Sequence, residues 1–468
     1  MMNRLQLIAG ACLPLLLAAC VTTPPVPTPA MPEAWIAPLP HQGSVSDLAY
    51  WWELQGDPLL VRLIGAAQEV SPTLAMAASR IEQARATRVA SGAALLPTLD
   101  AGASIGRSSQ QSLLPLGTTS QAGLQAAWEI DLFGGRHAAR NAAQARFEGA
   151  QAGWHDARVA VAAEVASQYY DYRACEKLLA VSRADARSRA ESSRLVQLST
   201  AAGFQSPASA GLARASAAEG NARATQQQAQ CDIIIKALVA LTAIEEAALR
   251  RQVAEVPGLL PPAAAISIAS LPAQILAQRP DVFGAEREVM AAAADVGVAK
   301  AQRYPHLSLT GSIGKASFRS DGANITGDTW SIGPLALTVP LFDGGRRSAN
   351  ADAAAARYTE AVAKYRASVR QAVREVEEAL VKLQSTADRA NDAATAVEGY
   401  RASFNGIEAR YQNGLASLVE LEDARRIRLS AETALIGLQR ERVAAWIALY
   451  RAAGGGWTSA APTLAEKQ

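Results

Sequence analysis

The chain is 468 residues long, half of them hydrophobic but only 5% aromatic, a length that suits two domains or one elongated one. Its 45 basic and 43 acidic residues nearly cancel, and with no Lys/Arg block and no basic–aromatic interleaving the chain does not read as a nucleic-acid binder. Much of the apolar content is alanine, which propagates helices and lets them approach closely, so extensive helix–helix contact is expected in place of a thick globular core.

Arg4 precedes an apolar run from Leu5 to Ala19 that is too short for a membrane span and shaped like a signal-peptide core. The run ends in Leu17-Ala18-Ala19-Cys20, the form of a bacterial lipoprotein cleavage box: small residues admit the peptidase and the Cys20 thiol receives diacylglycerol. Residues 1–19 are therefore expected to be removed. Acyl chains on Cys20, at ~0.8 kcal/mol per buried methylene, would anchor the mature N-terminus in lipid. Val21 stands where an aspartate would favour the inner membrane, which points to the outer one. Residues 20–48 read as anchor and tether, held extended by prolines at 24, 25, 27, 29, 32, 38 and 40.

A first structural segment spans 49–253. It starts near Tyr50-Trp51-Trp52, takes helical spacing from Asp57-Pro58, and stops and restarts at Ser71-Pro72, with helix to about residue 94. At Pro97 the period changes. Residues 98–106 and 123–132 alternate over a length suited to a tilted transmembrane strand, and the Ser/Gln/Thr-rich stretch from Gly106 to Ala122 reads as their loop. The second strand runs into Gly134-Gly135-Arg136, after which no proline occurs until Pro207. A helix from Arg136 to about Thr200 would be roughly 96 Å long and needs partners along its whole length. Gly203 and Pro207 mark a turn, and helix resumes to about Thr242, so 136–242 is a long antiparallel hairpin. Cys175 and Cys231 are each 28 residues from Gly203. The hairpin therefore brings them level, and in an oxidising periplasm they are expected to form a disulfide. Residues 254–272, with Pro257, Pro261, Pro262 and Pro272, read as a connector.

The segment 273–455 repeats the first. A shift of 208 aligns Pro72 with Pro280 and Pro97 with Pro305, a shift of 210 aligns Gly134-Gly135-Arg136 with Gly344-Gly345-Arg346, and a shift of 211 aligns Gly203 with Gly414. Tandem duplication follows. The second copy supplies strands 306–313 and 330–339, a loop from Lys315 to Thr329, and a hairpin over 346–453, leaving 456–468 as a tail. Tyr358, Val362, Tyr365, Val369, Ala372, Val376, Ala379 and Leu383 form a heptad seam, and Ala387, four further on, reads as a stutter. Four strands cannot close a barrel, since closed barrels begin at about eight strands. A dimer would give eight with a filled lumen, and a trimer twelve with room for a channel.

These residues resemble the TolC-family outer-membrane factors of the lipoprotein, NodT-type branch. The resemblance is carried by Trp51-Trp52 with Asp57-Pro58, Arg279-Pro280-Asp281-Val282, Ala285-Glu286, Tyr304-Pro305-His306-Leu307, Val339-Pro340-Leu341-Phe342-Asp343-Gly344-Gly345 and Arg410-Tyr411-Gln412-Asn413-Gly414. It implies a mainly α chain with a membrane β-barrel: a homotrimer with a twelve-stranded barrel, a periplasmic helical tunnel and an equatorial belt that includes the connector. It also implies passive export, driven by an inner-membrane transporter through a periplasmic adaptor, with no cofactor. The lipid anchor leans toward a resistance-nodulation-division transporter. The two loops between strands would be extracellular, and the turns at Gly203 and Gly414 would form the periplasmic tip that an adaptor hairpin approaches. Arg136 and Arg346 would sit at the inner headgroup level. In this family acidic residues early in the last helix constrict the tunnel, which places Asp423 and Glu420 as candidate gate residues, although Gln412 stands where relatives often carry a basic residue. The plainer alternative for Asp423 is an i,i+3 pair with Arg426.

Two other classes fit less of the chain. A structural coiled-coil lipoprotein spanning the periplasm would leave the strand pairs unexplained, and a periplasmic adaptor would not need the duplication. Within the export class, the outer-membrane component of type I protein secretion is the second reading. Enzyme chemistry has little to hold: the four histidines, at 41, 137, 155 and 306, lack metal-ligand spacing, and the Gly-Gly-Arg turns lack a phosphate-loop lysine.

Overall fold

The computed structural model describes residues 24, 25, 27, 32, 34–37, 51–54, 56–110, 114–256 and 272–457. The signal segment, Cys20, most of the tether, residues 257–271 of the connector and residues 458–468 lie outside them. In chain order the elements are α1 (Trp51–Leu54), α2 (Pro58–Val70), α3 (Pro72–Ala93), β1 (Thr98–Gln110), β2 (Leu114–Ile130), α4 (Gly135–Ala201), α5 (Pro207–Thr242), α6 (Glu246–Glu255), α7 (Pro272–Ala277), α8 (Pro280–Ala301), β3 (His306–Ser320), β4 (Ala323–Thr338), α9 (Arg346–Gln412) and α10 (Leu418–Ala452). The chain divides into two compact units, one drawing on Ala78–Gln151 and Phe283–Ala367, the other on Ala152–Val282 and Ser368 onward. Each unit therefore uses both halves of the duplication.

In the first unit, β1 to β4 form one antiparallel sheet in sequence order. The strands run far beyond the expected 98–106, 123–132, 306–313 and 330–339, and they absorb most of both expected loops, 106–122 and 315–329. Those stretches read as loops because their apolar alternation fades into Ser, Thr and Gln. A strand that continues past the apolar layer keeps its backbone ladder while its side chains turn polar.

The register sorts the side chains into two faces. One carries the rows Ile130–Leu307–Leu337, Trp128–Leu309–Leu335, Leu99–Ala126–Gly311–Ile332 and Ala101–Leu124–Ile313–Trp330. The other carries Asp100–Gln125–Ser312–Ser331, and a Gly102–Gly123–Gly314 row. Glycine is required at the last of these. A Cβ on Gly314 would lie 2.4 Å from the Ala122 carbonyl oxygen, and one on Gly123 would lie 2.6 Å from that of Ile313. The backbones of β2 and β3 approach too closely at that level for a side chain, as expected where a sheet bends sharply.

α4 and α9 each contain 67 residues, about 100 Å at 1.5 Å per residue. In the first unit, α4 meets α8 through Ala142, Ala145, Ala291 and Ala294, side chains small enough for close helix contact. Along α9, Tyr365, Val369, Ala372, Val376, Ala379 and Leu383 are buried as the heptad requires. The expected stutter does not occur. Ala387 is exposed, whereas Thr386, three residues after Leu383, is fully buried and donates its hydroxyl to the Leu383 carbonyl at 2.9 Å. The 4,3 alternation thus passes through a polar residue and reaches Val397 and Phe404, both buried.

The main core of the second unit gathers Trp51, Leu59, Leu63, Tyr169, Leu238, Val376, Trp446 and Tyr450 with their neighbours. Two of the sequence motifs fix its edges. Asp57 caps α2, accepting from the amides of Leu59 and Leu60 through Oδ1, while its Oδ2 accepts the Tyr169 hydroxyl proton at 2.6 Å. Arg279, just before α8, donates to the Ala452 carbonyl at the end of α10 at 3.0 Å and pairs with Asp281 and with Glu375 of α9. These groups satisfy helix ends that would otherwise be buried without partners.

Candidate functional site

Each long helix begins at one Gly-Gly-Arg turn, and the two turns are built differently. In the first, Gly134 takes a φ of +72° and Gly135 already belongs to α4, where a Cβ would lie 2.8 Å from the Ala301 side chain. In the second, Gly344 and Gly345 both have positive φ, +67° and +89°, and α9 opens at Arg346. An aspartate caps each start. Asp131 accepts the His137 amide proton at 2.8 Å, and Asp343 accepts from the Arg347 amide at 3.1 Å and its guanidinium at 2.9 Å. Arg136 pairs with Glu129, whose other oxygen lies 3.3 Å from Nδ1 of His306. Glu129 stands on the polar side of the sheet, since it pairs with Ser308 one residue from the Trp128–Leu309 row. Arg136 is thereby turned toward the polar side, whereas Arg346 is exposed.

The two hairpin turns, by contrast, share their closing hydrogen bonds. The Phe204 amide donates to the Ser199 carbonyl and that of Leu415 to Arg410, each at 2.8 Å, with Gly203 at φ +83° and Gly414 at φ +73°. This is a Schellman closure, with glycine in the left-handed position after each helix. Ser206 and Ser417 then cap α5 and α10, accepting the amide protons of Ser209 and Glu420. Each turn leaves an apolar tip uncovered in the protomer, Phe204 at 84% exposure and Leu415 at 67%.

Of the two candidate gate acids, Glu420 completes a capping box, accepting from the Ser417 amide at 2.7 Å. That bond holds its carboxyl below the ordinary range. Asp423 pairs with Arg426 at 3.1 Å, and it is 59% exposed on a face of α10 that the protomer's own packing leaves uncovered.

The acid drawn furthest into the helix packing at the start of α10 is a third one, Glu422, 17% exposed. It accepts from Arg189 of α4, from the Ser216 hydroxyl of α5 at 2.7 Å and from Arg425 at 2.7 Å. Arg425, 1% exposed, also donates to the hydroxyls of Ser188 at 2.9 Å and Ser192 at 2.6 Å. Arg189 in turn donates to Asp185 at 2.8 Å and to Ser216 at 2.6 Å. Arg189, Arg425, Asp185 and Glu422 thus link α4, α5 and α10, and the ring centre of Phe404 in α9 lies 3.8 Å from the Arg428 guanidinium carbon. Arg223 also reaches Asp185 at 3.4 Å and Glu408 lies 3.9 Å from Arg425, so the charges balance three against three. A signal was present in the sequence. Leu421, Ala424 and Arg425 follow the spacing of a buried helix stripe, and an arginine on such a stripe needs a partner on the facing helix.

Cys175 and Cys231 are joined in the structure, with Cα atoms 5.6 Å apart, and they pack against Leu179. Among the described residues no helix is long and apolar enough to cross a membrane, and no cluster of side chains suits a metal ion.

Comparison with known proteins agrees with this architecture. The profile of the outer membrane efflux protein family matches residues 63–244 and 271–455. The chain is 32% identical over 416 residues to the solvent efflux pump outer membrane protein SrpC of Pseudomonas putida, covering 86% of each. It is 31% identical over 465 residues to the outer membrane protein OprJ of Pseudomonas aeruginosa, covering 96% of each. The solved structure of the outer-membrane channel OprN superposes with a TM-score of 0.83 at 28% identity, over 94% of this chain and all of that one.

Proposed function

The chain belongs to the outer membrane efflux protein family, and on that premise we propose that three copies assemble into the exit duct of a tripartite export system. The observation that carries this reading is the sheet: four antiparallel strands, one apolar face, one polar face, and two edge strands, β1 and β4, whose outer edges pair with no strand among the described residues. Backbone groups left unpaired in lipid cost several kcal/mol each. The edges therefore pair with further copies until the wall closes, with the apolar face outward and a polar lumen inside. Three copies give twelve strands and an open pore; two give about eight strands, which side chains fill.

The partners follow from the same premise. A periplasmic adaptor engages the tips at Gly203 and Gly414, and an inner-membrane transporter, of the resistance-nodulation-division type, supplies both cargo and energy. The polar lumen favours small solutes, and SrpC, by its name, serves a solvent pump. Cys20 anchors the chain in lipid, and the Cys175–Cys231 bond forms in the periplasm. Asp423 and Glu420 stand at the start of α10, where three symmetry-related copies would ring the axis. The exposure of Asp423 and its single weak partner support that placement for it.

The test is electrical. Purified protein in planar bilayers should conduct ions as a heat-modifiable trimer, and Asp423→Ala should raise conductance and weaken cation preference. A chain that runs as a monomer without conductance would refute the duct. Unchanged conductance and selectivity in D423A would remove Asp423 from the gate.

A further inference from the structure

Seven side-chain rows can be followed along the apolar face of the sheet, counting outward from the end where the helices attach. Beyond Ala101–Leu124–Ile313–Trp330 come Ala103–Ala122–Lys315–Asp328 and then Ile105–Ser120–Ser317–Thr326. The seventh row is Arg107–Thr118–Arg319–Asn324. Two arginines therefore share one level and one face, with a single strand and the hydroxyl of Thr118 between them. Strands lie about 4.8 Å apart, which puts the arginine backbones roughly 10 Å from each other. Both side chains are exposed, and among the described residues neither has a carboxylate within ion-pair reach. Asp328, the acid on the same face two rows inward, faces Lys315 at 3.6 Å.

The level of this row matters. From Ile130 to Thr118 along β2 is about 40 Å at 3.3–3.4 Å per residue, or roughly 30 Å along the membrane normal for a strand tilted by about 40°. The apolar band of such a barrel is about 25 Å tall. With the innermost apolar row at the inner boundary, the arginines emerge just past the outer one, on the outside of the wall.

We propose that Arg107 and Arg319 form a docking site for the phosphate groups of the glycolipid that makes up the outer leaflet of the outer membrane. This assignment rests on reading the sheet as a barrel wall with its apolar face in lipid. A guanidinium presents a planar fork that matches phosphate oxygens. Two forks about 10 Å apart, with a hydroxyl between them, suit a headgroup bearing more than one phosphate better than a phospholipid with one. A ring of such sites would fix the height of the barrel in the bilayer without any lumenal contact.

The test uses the full-length channel in detergent, titrated with lipid A, with lipid A stripped of its phosphates, and with phosphatidylglycerol, binding being read by native mass spectrometry. Wild type should bind phosphorylated lipid A at least about tenfold more tightly than the stripped form, on the scale of two basic contacts near a membrane surface. Arg107→Ala/Arg319→Ala should lose that preference, and Arg107→Lys/Arg319→Lys should keep part of it. Equal binding of the two lipid A forms, a preference unchanged in the double alanine variant, or tighter binding of phosphatidylglycerol would each overturn the site. Conductance of wild type in bilayers free of lipid A separates the two readings, because its loss would refute the duct and leave lipid binding to be judged by itself.

Discussion

Replacing Arg425 by alanine should loosen the hairpin tips without unfolding the chain. The side chain is 1% exposed and makes three contacts of 2.6–2.9 Å, to Glu422, Ser188 and Ser192. Breaking a buried ion pair costs about 3–5 kcal/mol when the remaining charge is left alone. Glu422 would keep Arg189 and Ser216, so the cost falls below that range, at about 2–3 kcal/mol. The network ties α10 to α4 and α5, and the loss should therefore appear as local opening. Amide hydrogen exchange over residues 185–193 and 421–428 should quicken by about 30- to 150-fold, while the core around Tyr169 and Leu238 stays protected. Glu422→Leu/Arg425→Met, which removes both charges and fills the space, should recover much of the protection. Exchange within about threefold of wild type in Arg425→Ala would show that water already screens the network, and the assignment of Arg425 as the tie between hairpins would fail.

Other consequences follow from the same structure. Gly314→Val places a branched side chain where even a Cβ would sit 2.4 Å from backbone; the variant should not assemble into heat-modifiable oligomers in outer-membrane fractions, whereas Gly327→Ala, with open space at its Cβ, should assemble. Ser417→Ala should cost about 1 kcal/mol at the start of α10, seen as faster exchange in its first turn. Glu420, whose pKa lies below its ordinary 4.5 because the Ser417 amide donates to it, adds stability that is full above pH 4.5 and is lost as pH falls through the depressed value. Protection of that turn should therefore drop in mild acid in wild type and show no such step in Glu420→Gln. Cys175→Ser should expose to alkylation after denaturation one thiol, at Cys231, that wild type holds in the bond. It should also lower stability by up to about 4 kcal/mol, the loop-entropy ceiling for a crosslink spanning 56 residues.

Much of the fold was legible because its signals are long. The proline-free runs, the change of period at Pro97 and Pro305, and the offsets near 210 residues repeat over distances that chance does not reproduce. Short polar features were harder to read. The outer halves of β1 to β4 read as loops because hydropathy follows the solvent while strand pairing follows the backbone, and the two part company where a strand leaves the apolar layer. Thr386 was passed over in the seam for the same reason: a hydroxyl that bonds its own helix at i−3 packs like an apolar side chain. At the tip, the family resemblance points to Glu420 and Asp423, yet the acid held by the neighbouring helices is Glu422, between them in sequence. One residue along a helix is a rotation of about 100°, so position alone could not separate a gate candidate from a structural tie.

The duplication also bears on which hairpin does what. The two turns keep the same closing hydrogen bonds under a shift of 211, but the residues that follow them have diverged. Glu420, Glu422 and Asp423 of α10 correspond to Ser209, Gly211 and Leu212 of α5, and Arg189 of α4 corresponds to Tyr400 of α9. Every acid near the tip of the last helix is thus unique to the second hairpin, while Arg189 and Ser216, which donate to Glu422, lie on the first. A duplicated pair of hairpins with equivalent tips would present acids from both copies. The acids at the start of α10 have no counterpart at the start of α5, and the first hairpin holds α10 from the side through Arg189 and Ser216. Any movement that opens the tip must then either carry both hairpins together or break the contacts among Arg189, Ser216, Glu422 and Arg425. Because Arg189 and Arg425 are buried and charged, the second route has the higher barrier, unless an incoming partner supplies replacement partners.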